Sequence, residues 1–305
     1  MQTLTPSQRS GLLMSMQASD LRVASIAYRL ASSGESICPR KAALVGITLH
    51  EAAQYDSALR DQARQVMKLL NRVGVLAVAA GSPAEKAGLE AGDGLVSIAG
   101  RPVVASPPVA RGVYKGVATA YAQLAQAAAA GDFDLVVERE GRTLRVTVTP
   151  TTGCVSQVQL LPSPRIGARA DGLHLSVTTS LVDYVANDDE LALVIAHEMA
   201  HNALGHRAQF EAQGVRRGLF GSYGANAAKV LEAERAADRL AYFLMARAGF
   251  DPRVALAFWP RLYAGPAGGH ETITTHPDQS MRINDAREAI AQITAARAAG
   301  LVPTP

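Results

Sequence analysis

The stretch Asn187–His206, NDDELALVIAHEMAHNALGH, leaves its backbone little choice. Asn187 and Glu190 stand at the spacing of a capping box, and acidic residues fill the first turn, where the positive end of a helix favours them. Apolar residues then recur with no glycine or proline until Gly205. The helix this predicts sets His197 and His201 on one face, about 5 to 6 Å apart at Cβ, a spacing that suits two imidazole ligands on one tetrahedral zinc. Glu198 follows His197 directly, and in HExxH sites this residue leaves the metal alone and takes a proton from its water. A chance HExxH in a chain of 305 residues arises on the order of one time in a hundred.

Two ligands are too few, because a catalytic zinc takes three from the protein and leaves the fourth position to water. His206 is one candidate. Gly205 and His206 stand eight and nine positions after His197, whereas the longer motif HExxHxxGxxH needs seven and ten. The spacing therefore marks His206 as a surface residue or a neighbour of a ligand. Glu234 and Asp238, in LEAERAADRLAYFLMARAGFDP, lie one helical turn apart on a second predicted helix. Spacing alone leaves two readings open: a carboxylate on the metal with its neighbour orienting a histidine, or a solvated acidic pair.

The chain separates by texture into three blocks: 1–41, 42–152 with a core at 70–150, and 153–305. The first predicts a leading helix over LRVASIAYRLA, with Leu21, Ile26 and Leu30 on one face. The second alternates strand-like runs with glycine turns and ends in FDLVVERE-GR-TLRVTVT, a hairpin about Glu140-Gly141. Its Ala-rich stretch Tyr114 to Ala130 predicts a helix. LLPSPRIGARADG reads as a linker into the third, mostly helical block, whose strand Leu173 to Thr179 is expected to be an edge for an extended substrate. The glycine-rich segment 214–226, with Leu219, Phe220 and Tyr223, reads equally as a lid or membrane-surface contact and as an ordinary disordered connection. Cys38 and Cys154 match no metal spacing and form either two inert thiols or one disulfide.

Composition narrows the classes. The net charge of +3 is spread over scattered arginines, so a nucleic-acid partner is not expected. No apolar run reaches the roughly 18 residues of a membrane span, and the N-terminal stretch lacks the pattern of an export signal.

Gly81-Ser-Pro-Ala-Glu-Lys-Ala-Gly-Leu-Glu-Ala-Gly-Asp93, with Leu95-Val-Ser-Ile98 and Gly100-Arg-Pro-Val103, resembles the core of bacterial PDZ domains, with Ala99 where that family usually has Asn. The resemblance implies binding of a C-terminal peptide, and Leu44-Val-Gly-Ile47 stands where the carboxylate loop would be. HExxH, then Glu234 and Asp238, Ala248-Gly-Phe-Asp-Pro252, and Thr275-His-Pro277 with Arg282 resemble the HtpX and BepA-type zinc metallopeptidases, gluzincins of metallopeptidase family 48. That family usually has a second Glu where this chain has Ala236. The resemblance implies one zinc per chain held by His197, His201 and Glu234, with Glu198 as general base and Asp238 and Arg282 behind the ligands. His276 it places near the metal, as oxyanion stabiliser or inhibitory cap. The fold so implied is α+β: a mainly helical zincin-like catalytic domain with a small edge sheet, beside a β-rich PDZ-like domain. The activity implied is endopeptidase cleavage of unfolded or misassembled proteins in envelope quality control, in the periplasm or cell envelope, or otherwise in the cytoplasm. The alternative is a non-catalytic PDZ-type binding protein with a capped or structural zinc.

Overall fold

The computed structural model describes residues 4–107, 115–215, 225–264 and 279–305. The chain divides into two compact units, Met1–Tyr28 with Ala43–Thr152 and Arg29–Ala42 with Gly153–Pro305. The leading segment, expected as a block of its own, is shared between them, because helix α1 (Pro6–Ser33) runs across the division. Its buried face carries Leu13, Val23, Ala27 and Leu30, while Leu21 is 44% exposed. The expected face of Leu21, Ile26 and Leu30 was wrong in its first member, since Leu21 and Leu30 are about two and a half turns apart and point opposite ways.

In the first unit, β1 (Lys41–Leu44) leads in and β8 (Thr151–Cys154) leads out. Between them come β2 (Ile47–His50), α2 (Ser57–Val66), β3 (Gly74–Val78), α3 (Pro83–Lys86), β4 (Gly94–Ile98) and β5 (Arg101–Pro102). Helix α4 (Lys115–Ala130), β6 (Phe133–Arg139) and β7 (Arg142–Val148) complete it. The sheet runs β2-β3-β4-β6-β7, with β5 paired to β4. Glu140 and Gly141 both have positive φ, 50° and 76°, and close the β6–β7 hairpin in the register Arg139↔Arg142, a turn that matches strand twist. Alternate residues Phe133, Leu135 and Val137 of β6 enter a core with Val75, Leu95, Ile98 and Leu124. Asp93 is fully buried and pairs with Arg139, which also bonds the Gly88 carbonyl, so the glycine-rich turn is pinned from inside.

The second unit holds β9 (Gln157–Leu161), β10 (Ala168–Ala170), β11 (His174–Thr178), α5 (Thr179–Tyr184), α6 (Asp188–Leu204) and α7 (His206–Ala212). Helices α8 (Ala225–Arg247), α9 (Ala255–Ala264) and α10 (Gln279–Ala298) follow. Two expectations are corrected here. The stretch read as a linker supplies β10 and part of β9, and β11 is the central strand of β10-β11-β9, antiparallel to β10 and parallel to β9. With partners on both sides, β11 offers no open edge. Helix α6 packs on β10, β11 and α8, and α10 on α8 and α9. Cys38 and Cys154 form a disulfide within this unit, with 5.4 Å between Cα atoms. It joins the two chain passages that flank the first unit, and closing 116 residues stabilises by about 4 to 5 kcal/mol in the chain-entropy model.

Two predictions follow from the first unit. Ala99, between β4 and β5, sits at φ 48°, a left-handed conformation that costs an L-residue with a Cβ about 1 kcal/mol. Ala99→Gly or Ala99→Asn should therefore raise the melting temperature. Asp20, half-buried on α1, has its carboxyl pushed up to about 7 by burial. The folded protein then keeps a proton that the unfolded chain releases near pH 4, so stability falls as pH rises from about 4 to 7. Asp20→Asn should accordingly stabilise at pH 8 and lose that advantage at pH 4, which paired thermal melts would read.

Candidate metal centre

Helix α6 begins as its sequence demands. Asn187 Oδ1 accepts from the Glu190 N–H at 3.0 Å, but the Glu190 carboxylate reaches back to the Ala186 N–H rather than to that of Asn187, so the box closes one residue early. Glu190 is also buried against Arg261 of α9, and the guanidinium more than offsets its desolvation and lowers its pKa. From there α6 is buried almost all round, which holds His197 and His201 in fixed orientations.

On α8, Glu234 and Asp238 are both buried, which removes the solvated-pair reading. Glu234 places its carboxylate oxygens 3.3 Å from His197 Nε2 and 3.4 Å from His201 Nε2, and the two Nε2 atoms are 3.2 Å apart. One donor atom from each of these three residues lies within 4.8 Å of the others. Asp238 takes the other side of His197, with Oδ1 2.8 Å from Nδ1. Arg282 of α10 grips the same carboxylate with two bonds, Nε to Oδ2 at 2.7 Å and Nη2 to Oδ1 at 2.6 Å, while its guanidinium carbon lies 3.5 Å from the centre of the Trp259 ring.

The electrostatics follow from this geometry. Burial would raise the pKa of Asp238, but Arg282 and His197 reverse that and hold it well below the usual carboxylate range. An ionised Asp238 can only accept, so His197 Nδ1 carries hydrogen, and Nε2 is the nitrogen that faces Glu234. Burial disfavours a charged His197, yet Asp238 and Glu234 outweigh it and push the group up to about 10. The pocket thus calls for positive charge where two imidazole nitrogens and a carboxylate converge, and this donor set fits a divalent metal ion of the zinc type.

The structure brings five of the expected residues together: His197, His201, Glu234, Asp238 and Arg282. Glu198 lies half-buried beside them on α6. His276 and most of the 214–226 segment lie outside the described residues. His206 is buried, with Nδ1 2.8 Å from His201 Nδ1. It gets there because Gly205, at φ 72°, ends α6 in a left-handed turn and starts α7 in a new direction. Gly205 was the readable signal for that turn. Trp259, the chain's single tryptophan, gave no signal at all.

Comparison with known families assigns the two parts of the chain to a PDZ domain and a metallopeptidase domain. Residues 157–232 and 231–290 match peptidase family M48, and residues 74–139 match the PDZ domain family, so the chain carries an M48 peptidase domain and a PDZ domain. Among relatives, the mitochondrial metalloendopeptidase OMA1 of Saccharomyces cerevisiae is 27% identical over 138 residues, 37% of this chain. That alignment spans 40% of the relative's own length. Among solved structures, the HtrA3 PDZ domain bound to a phage-derived ligand (FGRWV) is 22% identical over 37% of this chain and 88% of that one, with a TM-score of 0.26.

The Asp238–Arg282 pair yields a direct prediction. Arg282→Met leaves the buried Asp238 carboxylate with His197 as its remaining charged partner and should destabilise the metal-free protein by about 3 kcal/mol in denaturant unfolding. Adding Asp238→Asn should recover part of that loss, because the buried carboxylate charge is then gone.

Proposed function

We propose that the chain is a zinc-dependent endopeptidase that cleaves unfolded or misassembled proteins in the cell envelope, with its PDZ domain binding substrate or partner C-termini. The convergence of His197, His201 and Glu234, with Asp238 and Arg282 fixing one histidine from behind, carries this reading. The M48 match and the metalloendopeptidase relative support it. His197, His201 and Glu234 would hold the ion. Zinc there would polarise the scissile carbonyl and acidify water.

The residues supply the rest. Glu198 accepts a proton from the attacking water and returns it to the departing amine as the peptide C–N bond breaks. Asp238 keeps His197 in one tautomer, and His206 accepts from the Nδ1–H of His201. His276 is assigned to the oxyanion or to an inhibitory cap by the family resemblance alone. An envelope location is supported by the Cys38–Cys154 disulfide, which persists in an oxidising compartment. No described helix is long and apolar enough to cross a membrane.

In the PDZ domain, the Val45 and Gly46 carbonyls accept from the Ala84 and Ala79 N–H groups at 3.0 and 2.8 Å. Carbonyl and N–H point opposite ways across a planar trans peptide, so the N–H groups of Gly46 and Ile47 turn away from those contacts. They form the small donor nest that a terminal carboxylate needs.

Elemental analysis after dialysis should find about one zinc per chain in the wild type and Glu198→Gln, and far less in Glu234→Ala. On a reduced, unfolded protein substrate, Glu198→Gln should turn over about 10² to 10⁴ times more slowly than the wild type. Zinc held equally well by Glu234→Ala would remove Glu234 from the ligand set. Full turnover by Glu198→Gln would remove the general base.

A further inference from the structure

Strand β2 is an outer strand of its sheet, with β3 on one side. An extended peptide adding to the free side needs the backbone N–H and C=O groups that point there. One of them is already engaged. The Leu49 N–H donates to the Tyr121 hydroxyl of α4 at 2.8 Å, so a side chain from the facing helix fills a position that a peptide carbonyl would take. Leu49 itself is buried in the core, and the Tyr121 ring, half-buried, packs against the same cluster.

The helix that carries the tyrosine is fixed at its start. Glu51, directly after β2, is fully buried, and its carboxylate accepts from the Ser106 N–H at 2.5 Å and the Val117 N–H at 3.3 Å. Gly116 lies so close beneath this carboxylate that a Cβ there would collide with it and with the backbone of Val104 and Ser106. The ends of β2 and α4 are therefore clamped together. Access to the β2 edge depends on rotation of one side chain rather than on movement of the helix.

We propose that Tyr121 is the latch of the PDZ groove: its hydroxyl occupies the Leu49 N–H, and a peptide with a free terminal carboxylate enters only by displacing it. This rests on reading the groove as a C-terminal peptide site. The ligand must replace the lost bond with its own carbonyl and fill the place of the ring with an apolar side chain. Peptide affinity is then set by the difference between the two occupants of one donor.

The test uses the full chain and a fluorescent pentapeptide ending in valine, with a free carboxylate or as the amide, together with amide exchange at Leu49. Tyr121→Phe keeps the ring and removes the hydroxyl. It should speed Leu49 exchange and tighten binding of the free-carboxylate peptide by about fivefold, the worth of one ordinary hydrogen bond. Tyr121→Ala should tighten it by about tenfold or more, and the amide should bind weakly throughout. Equal peptide binding by wild type and both variants, with unchanged Leu49 exchange, overturns the latch and leaves the peptide site standing. Binding of neither peptide by any of the three overturns the peptide site and the latch with it.

Discussion

The buried Asp238 carboxylate is the interaction on which the peptidase unit is organised. It lies between His197 of α6 and Arg282 of α10 and is itself carried by α8, so three helices meet at one charged group. A lone carboxylate at that depth would take up a proton or open the core to water. With a guanidinium on one side and an imidazole on the other it stays ionised, and it keeps hydrogen on Nδ1 of His197. The same contact turns Nε2 of His197 toward Glu234. Helix packing and the orientation of His197 are thus consequences of one contact.

The two histidines are supported by different chemistry. His197 is backed by a charged carboxylate, which makes it the stronger electron donor, while His201 meets another imidazole, His206, across 2.8 Å. The second arrangement exists because Gly205 takes a left-handed turn. In an uninterrupted helix a residue five positions on points well away from its predecessor.

The first unit uses buried charge in a similar way. Asp93 with Arg139 fixes a turn, and Glu51 fixes the start of α4. Each buried carboxylate accepts backbone N–H groups as well as any cation, and this allows it to sit in a small β-rich core. The same clamp leaves β2 with a tyrosine as neighbour where an open strand edge would otherwise stand.

The sequence by itself determined the elements whose cause is local. The start of α6, the four-residue histidine spacing and the Glu140-Gly141 hairpin all depend on neighbours a few residues away, and each is written in residue type and period. The resemblance to a peptidase family supplied Glu234 and Arg282 as partners, which spacing left open. Tertiary structure decided what depends on long-range approach. It chose the solvated or buried fate of Glu234 and Asp238, placed β11 between two strands instead of at an edge, drew β10 out of an apparent linker, and joined Cys38 to Cys154. It also stacked Arg282 on Trp259 and closed Leu49 onto Tyr121. No local pattern encodes the pairing of Leu49 with Tyr121 or of Cys38 with Cys154, because these partners are separated by 72 and 116 positions along the chain and share only the space into which packing brings them.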